Sequence, residues 1–288
     1  MGCLNSNNGF EHWFGNIHLS GPCNRECYFC IGQHMMDLDS ENNLDTWPIQ
    51  GLDDFIDKCK ERNVTDINIT GTNTDPLLFK HMVELREALA AEIEGLRFGI
   101  RTNGVLIQNR PEVWEVFDKA SITVCSFDPA IYKAMMGRGK PPQLEEILKI
   151  DGPRNVKINV VLGPENVETG DIFRTLDECA RLGIKRVNLR EPYGQSHIGD
   201  PLAAMGVVPD GHHLGMPFYD WKGAQVTYWD VHYVEVESVN LYANGRVSEL
   251  YPITAGHSEN GEVKDQSHFT TGRHRDQWVG NKKLPVLT

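Results

Sequence analysis

The chain has no apolar run of the roughly 18 residues that a membrane-spanning helix needs. Its opening stretch, MGCLNSNNGFEHWFG, has neither a basic flank nor an apolar centre, so it does not read as a secretory signal. No low-complexity tract is present, and no repeat beyond an alternation of short segments. Positive charge is scarce: 28 Lys and Arg stand against 40 Asp and Glu, a formal charge of −12. Holding duplex nucleic acid across a broad face requires clustered cations, so that class is disfavoured, while a nucleotide in a small basic pocket is not. Disulfide logic also fails. Seven cysteines at 3, 23, 27, 30, 59, 125 and 179, three of them within eight residues, read as a thiolate cluster in a reducing, cytoplasmic compartment. With 40% hydrophobic residues, 288 residues suffice for a substantial core and exclude a disordered chain.

Met1-Gly-Cys-Leu-Asn-Ser fits the permissive myristoylation pattern, with Cys3 for a second acyl chain. No polybasic stretch follows to add an anchoring signal, and a chance match is the plainer reading.

What is there alternates. β-type runs occur at Trp13–Ser20, Asp66–Thr70, Arg97–Thr102, Ser121–Ser126, Asn155–Leu162 and Arg186–Arg190. Between them, Leu78, Met82, Leu85, Leu89 and Ile93 recur at helical spacing within Leu77–Glu94. Ile172, Leu176 and Cys179 do so within Asp171–Leu182, before a Gly183 stop. Weaker helices are expected at Leu52–Arg62, Pro111–Lys119 and Gln143–Ile150. The pattern predicts an α/β fold, a whole or partial barrel of parallel strands with helices outside and chemistry at the carboxyl ends of the strands. After Glu191 the rhythm breaks. Gly199–Gly223 reads as an irregular loop, Gln225–Val236 and Ser238–Tyr242 as strands, and Asn244-Gly245 as a hairpin turn. Past Tyr251 the chain is polar, with His257, His268, Arg273, His274 and Arg275.

The strongest signal is Cys23-Asn-Arg-Glu-Cys27-Tyr-Phe-Cys30, directly after the first strand. Three soft thiolates at this spacing suit iron–sulfur ligation, and three cysteines on a four-iron cluster leave one iron open to a small molecule. The rival is a closed zinc site with His34 as fourth ligand, although zinc ligands usually come as two close pairs. Cys59, Cys125 and Cys179 read as buried small hydrophobes.

The spacing, its place after strand one and the aromatic Phe29 resemble the radical S-adenosylmethionine (SAM) superfamily, from about Gly15 to Gly194. The resemblance implies a partial (β/α)6 barrel over residues 1–194, with 195–288 a small β-containing extension and candidate substrate lid. It implies that Cys23, Cys27 and Cys30 hold a [4Fe–4S] cluster and that SAM chelates the open iron. An electron from a donor such as flavodoxin or ferredoxin then cleaves SAM to methionine and a 5′-deoxyadenosyl radical, which takes hydrogen from a small-molecule substrate. By the same resemblance, Gly71, Thr72, Asn73 and Asp75 meet the SAM amino group, although Asn73 stands where the family has an acid. Thr102 and Asn103 position SAM or substrate, Ser126 and Asp128 meet the ribose, and Leu162 packs on adenine. Arg190 meets the SAM carboxylate or a substrate phosphate. Ordinary structural readings stand beside these: turns at Asn73 and Asn103, a helix cap at Asp128, a core leucine at Leu162, and a surface ion pair between Arg190 and Glu191.

Ser121–Glu191 is most similar to the molybdenum-cofactor GTP cyclase type, through Tyr132–Gly139 (YKAMMGRG) and Leu182-Gly183-Ile184. No cysteine follows Cys179, so a C-terminal auxiliary cluster is not expected. That likeness and the basic residues Arg101, Arg138, Lys140, Arg190 and Arg273 tilt the expected substrate toward a nucleotide or nucleoside, with base modification in nucleic acid as a variant. Gly137–Lys140 reads as a solvated loop or a phosphate contact. The alternative from another class is a non-catalytic iron–sulfur or zinc redox sensor.

Overall fold

The computed structural model describes residues 13–34, 41–193, 195–230 and 237–250. The acylation pattern at residues 1–6, the 231–236 part of an expected strand, the side chain of His34 and the tail beyond 250 with its histidines and arginines lie outside the described residues.

Eleven strands among these residues form one sheet. They are β1 (Phe14–Leu19), β2 (Asp66–Gly71), β3 (Arg97–Thr102), β4 (Lys119–Thr123), β5 (Asn155–Val161), β6 (Arg186–Arg190), β7 (Gly211–His213), β8 (Met216–Trp221), β9 (Ala224–Trp229), β10 (Ser238–Leu241) and β11 (Val247–Ser248). Helices α1 (Leu52–Glu61), α2 (Met82–Glu92), α3 (Pro111–Trp114), α4 (Pro129–Met136), α5 (Leu144–Ile147), α6 (Pro164–Val167) and α7 (Asp171–Arg181) fill the crossovers from β1 to β6, and α8 (Pro201–Ala204) follows. The strand order is β11-β10-β1-β2-β3-β4-β5-β6-β9-β8-β7. The pairings from β10 through β1–β6 to β9 are all parallel, and those of β11, β8 and β7 are antiparallel. The fold is therefore mixed α/β with a mostly parallel sheet.

Strand alternation divides this sheet into two unlike faces. One face is apolar: Ile67 and Ile69, Phe98 and Ile100, Ile158 and Val160, Val187 and Leu189 belong to a single buried cluster with Phe55, Leu85 and Leu176 of the helices. Each such side chain contributes roughly 1.5–3 kcal/mol by leaving water. The residues between them, Asn68, Arg101, Ser121, Lys157, Asn159 and Asn188, are polar and line a cavity on the opposite face. The two-residue period thus sends the core outward under the helices and the chemistry inward.

Several elements differ from the sequence expectation. Leu77–Glu94 is not one helix: Asp75 caps a short turn at Pro76–Leu78, Phe79 is extended, and α2 starts at Met82. The expected helix from Pro111 ends at Trp114 because Lys119 already opens β4. Gly199–Gly223 is not irregular. It holds α8, β7 and β8, joined by tight turns in which Leu214-Gly215 and Lys222-Gly223 all take positive φ. Two-residue hairpins demand that conformation, and Leu-Gly and Lys-Gly announce it less clearly than Asn-Gly does. The Asn244-Gly245 turn does join β10 to β11, with Gly245 at φ 82°. Strands β9 and β10 add to opposite edges of the sheet, β9 beside β6 and β10 beside β1.

Candidate functional site: the cysteine loop and the inner face

The cysteine loop leaves the carboxyl end of β1. Its three sulfurs are partly exposed, and none is in a disulfide. Burial, and then the neighbouring sulfurs of Cys30 and Cys23, push Cys27 up to about 12; burial also raises Cys23. As bare thiols Cys23 and Cys27 therefore keep their protons at neutral pH, and ligation to cationic metal is what would draw them out as thiolates.

Other strand ends hold this loop from several sides. Asn73 Oδ1 accepts from the Gly21 amide (3.1 Å), and Thr74 Oγ1 donates to the Pro22 carbonyl (2.7 Å). The Cys30 thiol lies 3.6 Å from the Thr72 carbonyl. Asn103 Nδ2 donates to Asn24 Oδ1 (2.6 Å). From α4, the Met136 carbonyl accepts from the Glu26 amide (3.0 Å), and Met136 Sδ sits 3.5 Å from Cys27 Sγ. Arg25 Nε donates to the Tyr132 hydroxyl (3.0 Å), and Arg138 Nη2 to the Cys23 carbonyl (2.7 Å). Gly137–Lys140 therefore touches the cysteine loop through Gly137 and Arg138, while residues 138–140 stay exposed to solvent. Gly137 has φ 79°, and a Cβ there would fall 2.5 Å from the Glu26 carbonyl oxygen. Only glycine allows that approach.

Three features fit the loop to a metal–sulfur group. Three thiols share one short loop. Asn24 Nδ2 is buried next to Cys23 without a hydrogen-bond partner among the described residues. Gly32 keeps space open against the second strand end, where a Cβ would come within 2.6 Å of the Thr72 carbonyl oxygen. Among the described residues, no three His, Cys, Asp or Glu side chains converge closely enough for a single metal ion. Tetrahedral zinc requires its sulfurs only about 3.8 Å apart, whereas a cluster spreads its ligands over separate irons.

Asp75 is the strut of this end of the sheet. It is 2% exposed. Its carboxylate accepts from the Leu77 amide (3.0 Å), the Thr102 hydroxyl (2.8 and 2.9 Å) and the Asn103 amide (2.7 Å). Burial raises its carboxyl above the usual carboxylate range, against the pull of those donors. At the next strand end Ser126, fully buried, donates to Asp171 and accepts from the Asp128 amide (2.9 Å), while Asp128 caps α4 through the Ala130 and Ile131 amides. Past β6, Glu191 is buried and accepts from the Ile198 and Gly199 amides and from the Tyr228 hydroxyl (2.7 Å). His197 bridges Asp230 (3.3 Å) and Tyr228 (3.3 Å), and the Asp230 contact chiefly raises its pKa.

The inner face holds one cavity of about 1260 Å³. It is lined from β2 across to β9, so this face of the sheet is concave. Residues at the amino ends of strands, Asp66, Arg97, Lys119 and Asn155, contribute to it, and so does Arg190 at the carboxyl end of β6.

Residues 17–189 match the Radical SAM superfamily, which is more than half of the chain. The chain belongs to the radical SAM superfamily. Membership implies an iron–sulfur cluster and SAM, in keeping with three thiols on the loop after β1. No curated protein sequence matches the chain. Among solved structures, Streptococcus suis SuiB is similar at 13% identity over 91% of this chain and 66% of that one, with a TM-score of 0.56. The SuiB structure bound to S-adenosylmethionine aligns at 17% identity over 69% of this chain and 43% of that one, TM-score 0.48. Coproporphyrinogen III oxidase (HemN) from Escherichia coli aligns at 15% identity over 70% and 48%, TM-score 0.39. The first of these carries the likeness of fold. The chain spans about two thirds or less of the length of these relatives.

Against this radical SAM frame the expected site residues fall into three sets. Cys23, Cys27, Cys30, Gly71, Thr72, Asn73, Asp75, Thr102 and Asn103 come together around one loop. Phe29 joins them at its edge, packed with Tyr28 against Met135, Met136 and Tyr132. Ser126, Asp128 and Leu162 lie outside that group: the first in a hydrogen bond to Asp171, the second as an exposed cap, the third inside the apolar core. Arg190 lines the cavity. Sequence reasoning missed Asn24, Arg25 and Met136 as supports of the loop. It also missed Lys119, Lys157 and Arg186 on the inner face, although the every-second-residue rule applied to β4, β5 and β6 marks all three.

Proposed function

We propose that this chain is a radical SAM enzyme, its parallel sheet curled as a partial (β/α)6 barrel, with a [4Fe–4S] cluster held by Cys23, Cys27 and Cys30. The observation that carries this reading is the trio of non-disulfide thiols on one loop at the carboxyl end of β1, braced by the ends of β2, β3 and α4. When bound, cluster and SAM supply one-electron cleavage of the sulfonium to methionine and a 5′-deoxyadenosyl radical that abstracts hydrogen from substrate. The chain's own residues supply position. Asp75 fixes the ends of β2 and β3 and has its lone pairs engaged, which leaves the backbone carbonyls and Thr72 of the 71–74 segment to receive the SAM amino group. Tyr132, Met135 and Met136 place an apolar wall beside Cys27 that keeps water away.

The substrate is best read as a small molecule of nucleotide or nucleoside class, with a flavodoxin or ferredoxin as electron donor. The core resembles the molybdenum-cofactor GTP cyclase type without an auxiliary C-terminal cluster, and the packing of the YKAMMGRG segment on the cysteine loop supports a role for it there. Residues 195–288 act as the extension that completes the substrate side. Protein purified under nitrogen and reduced with dithionite is expected to convert SAM to 5′-deoxyadenosine and methionine on chromatography. Zinc at one equivalent with no sulfide and no cleavage would replace this reading with a non-catalytic zinc or redox module.

A further inference from the structure

The protein is acidic overall, yet the cavity on the inner face is basic. Nine Lys or Arg side chains line it against two aspartates, Asp66 and Asp151. Asp66 is already shared by Lys119 and Arg97. Among the described residues, the side chains of Arg101, Lys157 and Arg186 make no hydrogen bond or ion pair. Their crowding is not an accident of the surface. Lys157 is the register partner of Ser121 in the middle of the parallel sheet, and Arg186 and Arg190 open and close the neighbouring strand, about 13 Å apart at the strand rise. Burial and the like charges of Arg101, Arg190, Arg186 and Lys119 bring the Lys157 amine down to about 7. Holding several cations on one concave wall is costly unless something negative joins them. Of the polar neighbours that accompany them, Asn188 can donate to an oxyanion, while Asn68 and Asn159 already donate from Nδ2 to Asp66 (3.3 Å) and Ser121 (2.6 Å).

We propose that the inner face of the sheet is a chamber for a small multivalent oxyanion, with Arg101, Lys157 and Arg186 as its principal ligands and Arg190 marking its inner end. Guanidinium forks favour phosphoryl groups, so a phosphorylated small molecule is the occupant that the lining fits best. Carboxylates share the chemistry. The inference deepens the functional reading by giving the substrate an anionic group that seats away from the cysteine loop, and it rests on that reading only for the ligand being the substrate.

The test is isothermal titration calorimetry of the full chain, as purified, with inorganic pyrophosphate, citrate and adenosine. One equivalent of pyrophosphate or citrate is expected to bind, and adenosine is expected to bind at least tenfold more weakly. Pyrophosphate tighter than citrate assigns phosphoryl, and the reverse order assigns carboxylate. Lys157→Met and Arg101→Met should each weaken anion binding tenfold or more, while Lys60→Met on the exposed side of α1 should leave it unchanged. Because Lys157→Met relieves repulsion, its Tm should rise and the further rise on adding pyrophosphate should shrink. No saturable binding of either anion, unchanged affinity in both cavity variants, or a fall in Tm for Lys157→Met would overturn the chamber. Anion binding without SAM cleavage would leave the chamber standing and remove the enzymatic reading; SAM cleavage without anion binding would do the opposite.

Discussion

At the carboxyl end of the sheet, the side chains facing the cysteine loop are bonded to other parts of the chain. Asp75 serves three donors, Asn73 and Thr74 hold the loop's first residues, and Asn103 holds Asn24. On the inner face, Arg101, Lys157 and Arg186 point at a cavity with no partner among the described residues. The difference separates two ways of preparing a site. The loop end is rigid because internal hydrogen bonds fix where the thiols sit, and rigidity is what a geometrically demanding cluster requires. The cavity leaves its polar groups open to a visitor, at a cost in stability that a bound anion would offset.

The strongest way to break the comparison is to remove what the loop end is built to hold. Cys27→Ala should abolish cluster iron and all SAM cleavage while the chain stays folded, because the substitution lies on a half-exposed loop. Iron and sulfide analysis with circular dichroism checks both, and retained cleavage would refute the ligand assignment. Next in size is Asp75→Ala. It strands three buried donors, each worth roughly 1 kcal/mol or more, so urea unfolding should show a loss of about 3 kcal/mol. If Asp75 instead met SAM directly, Asp75→Asn would weaken SAM binding without this loss. Gly137→Ala should cost about 1–2 kcal/mol from its positive φ. It should also lower iron incorporation, because the new Cβ presses on the backbone of Glu26 beside Cys27. Normal iron with normal stability would show that α4 does not brace the loop.

The pH dependence of stability sharpens the other half of the contrast. The Lys157 amine sits near 7 in the fold against 10.5 when exposed. Between those values the unfolded chain holds a proton that the folded chain has released, so stability should rise with pH from about 7 toward 10.5. The groups facing Lys157 are Lys119, Arg101, Arg186 and Arg190, all positive there, with His213 nearby. Urea unfolding of wild type and Lys157→Met at pH 7, 8.5 and 10 should give curves that converge as pH rises. A constant difference would mean that Lys157 stays charged and paired.

Much of the carboxyl end was legible because it is local in sequence. The cysteine spacing, the Asp75-Pro76 start and the Thr102-Asn103-Gly104 turn each carry their signal within a few residues. Arg97–Thr102 and Arg186–Arg190 were read with the bounds they have, since alternation and flanking turns agree there. What was hidden depends on distant contacts. Ser126 looks like an available hydroxyl until Asp171, 45 residues later, takes it. The basic loop at 137–140 is exposed as expected, but nothing local to it shows that Arg138 reaches the Cys23 carbonyl, 115 residues earlier. The cationic cavity assembles single residues from β3, β4, β5 and β6, none conspicuous alone in a chain of net charge −12. Strands β9 and β10 were seen as strands, but their parallel pairing with β6 and β1 joins segments far apart in sequence, and the Leu214-Gly215 and Lys222-Gly223 turns between β7, β8 and β9 lack the usual asparagine.

The most direct measurement is electron paramagnetic resonance on anaerobically prepared, dithionite-reduced protein, recorded before and after SAM is added. A three-cysteine site with one open iron predicts the signal of a reduced four-iron cluster whose position shifts when SAM binds. An unshifted spectrum, or no cluster signal in protein that contains its full complement of iron, would contradict it.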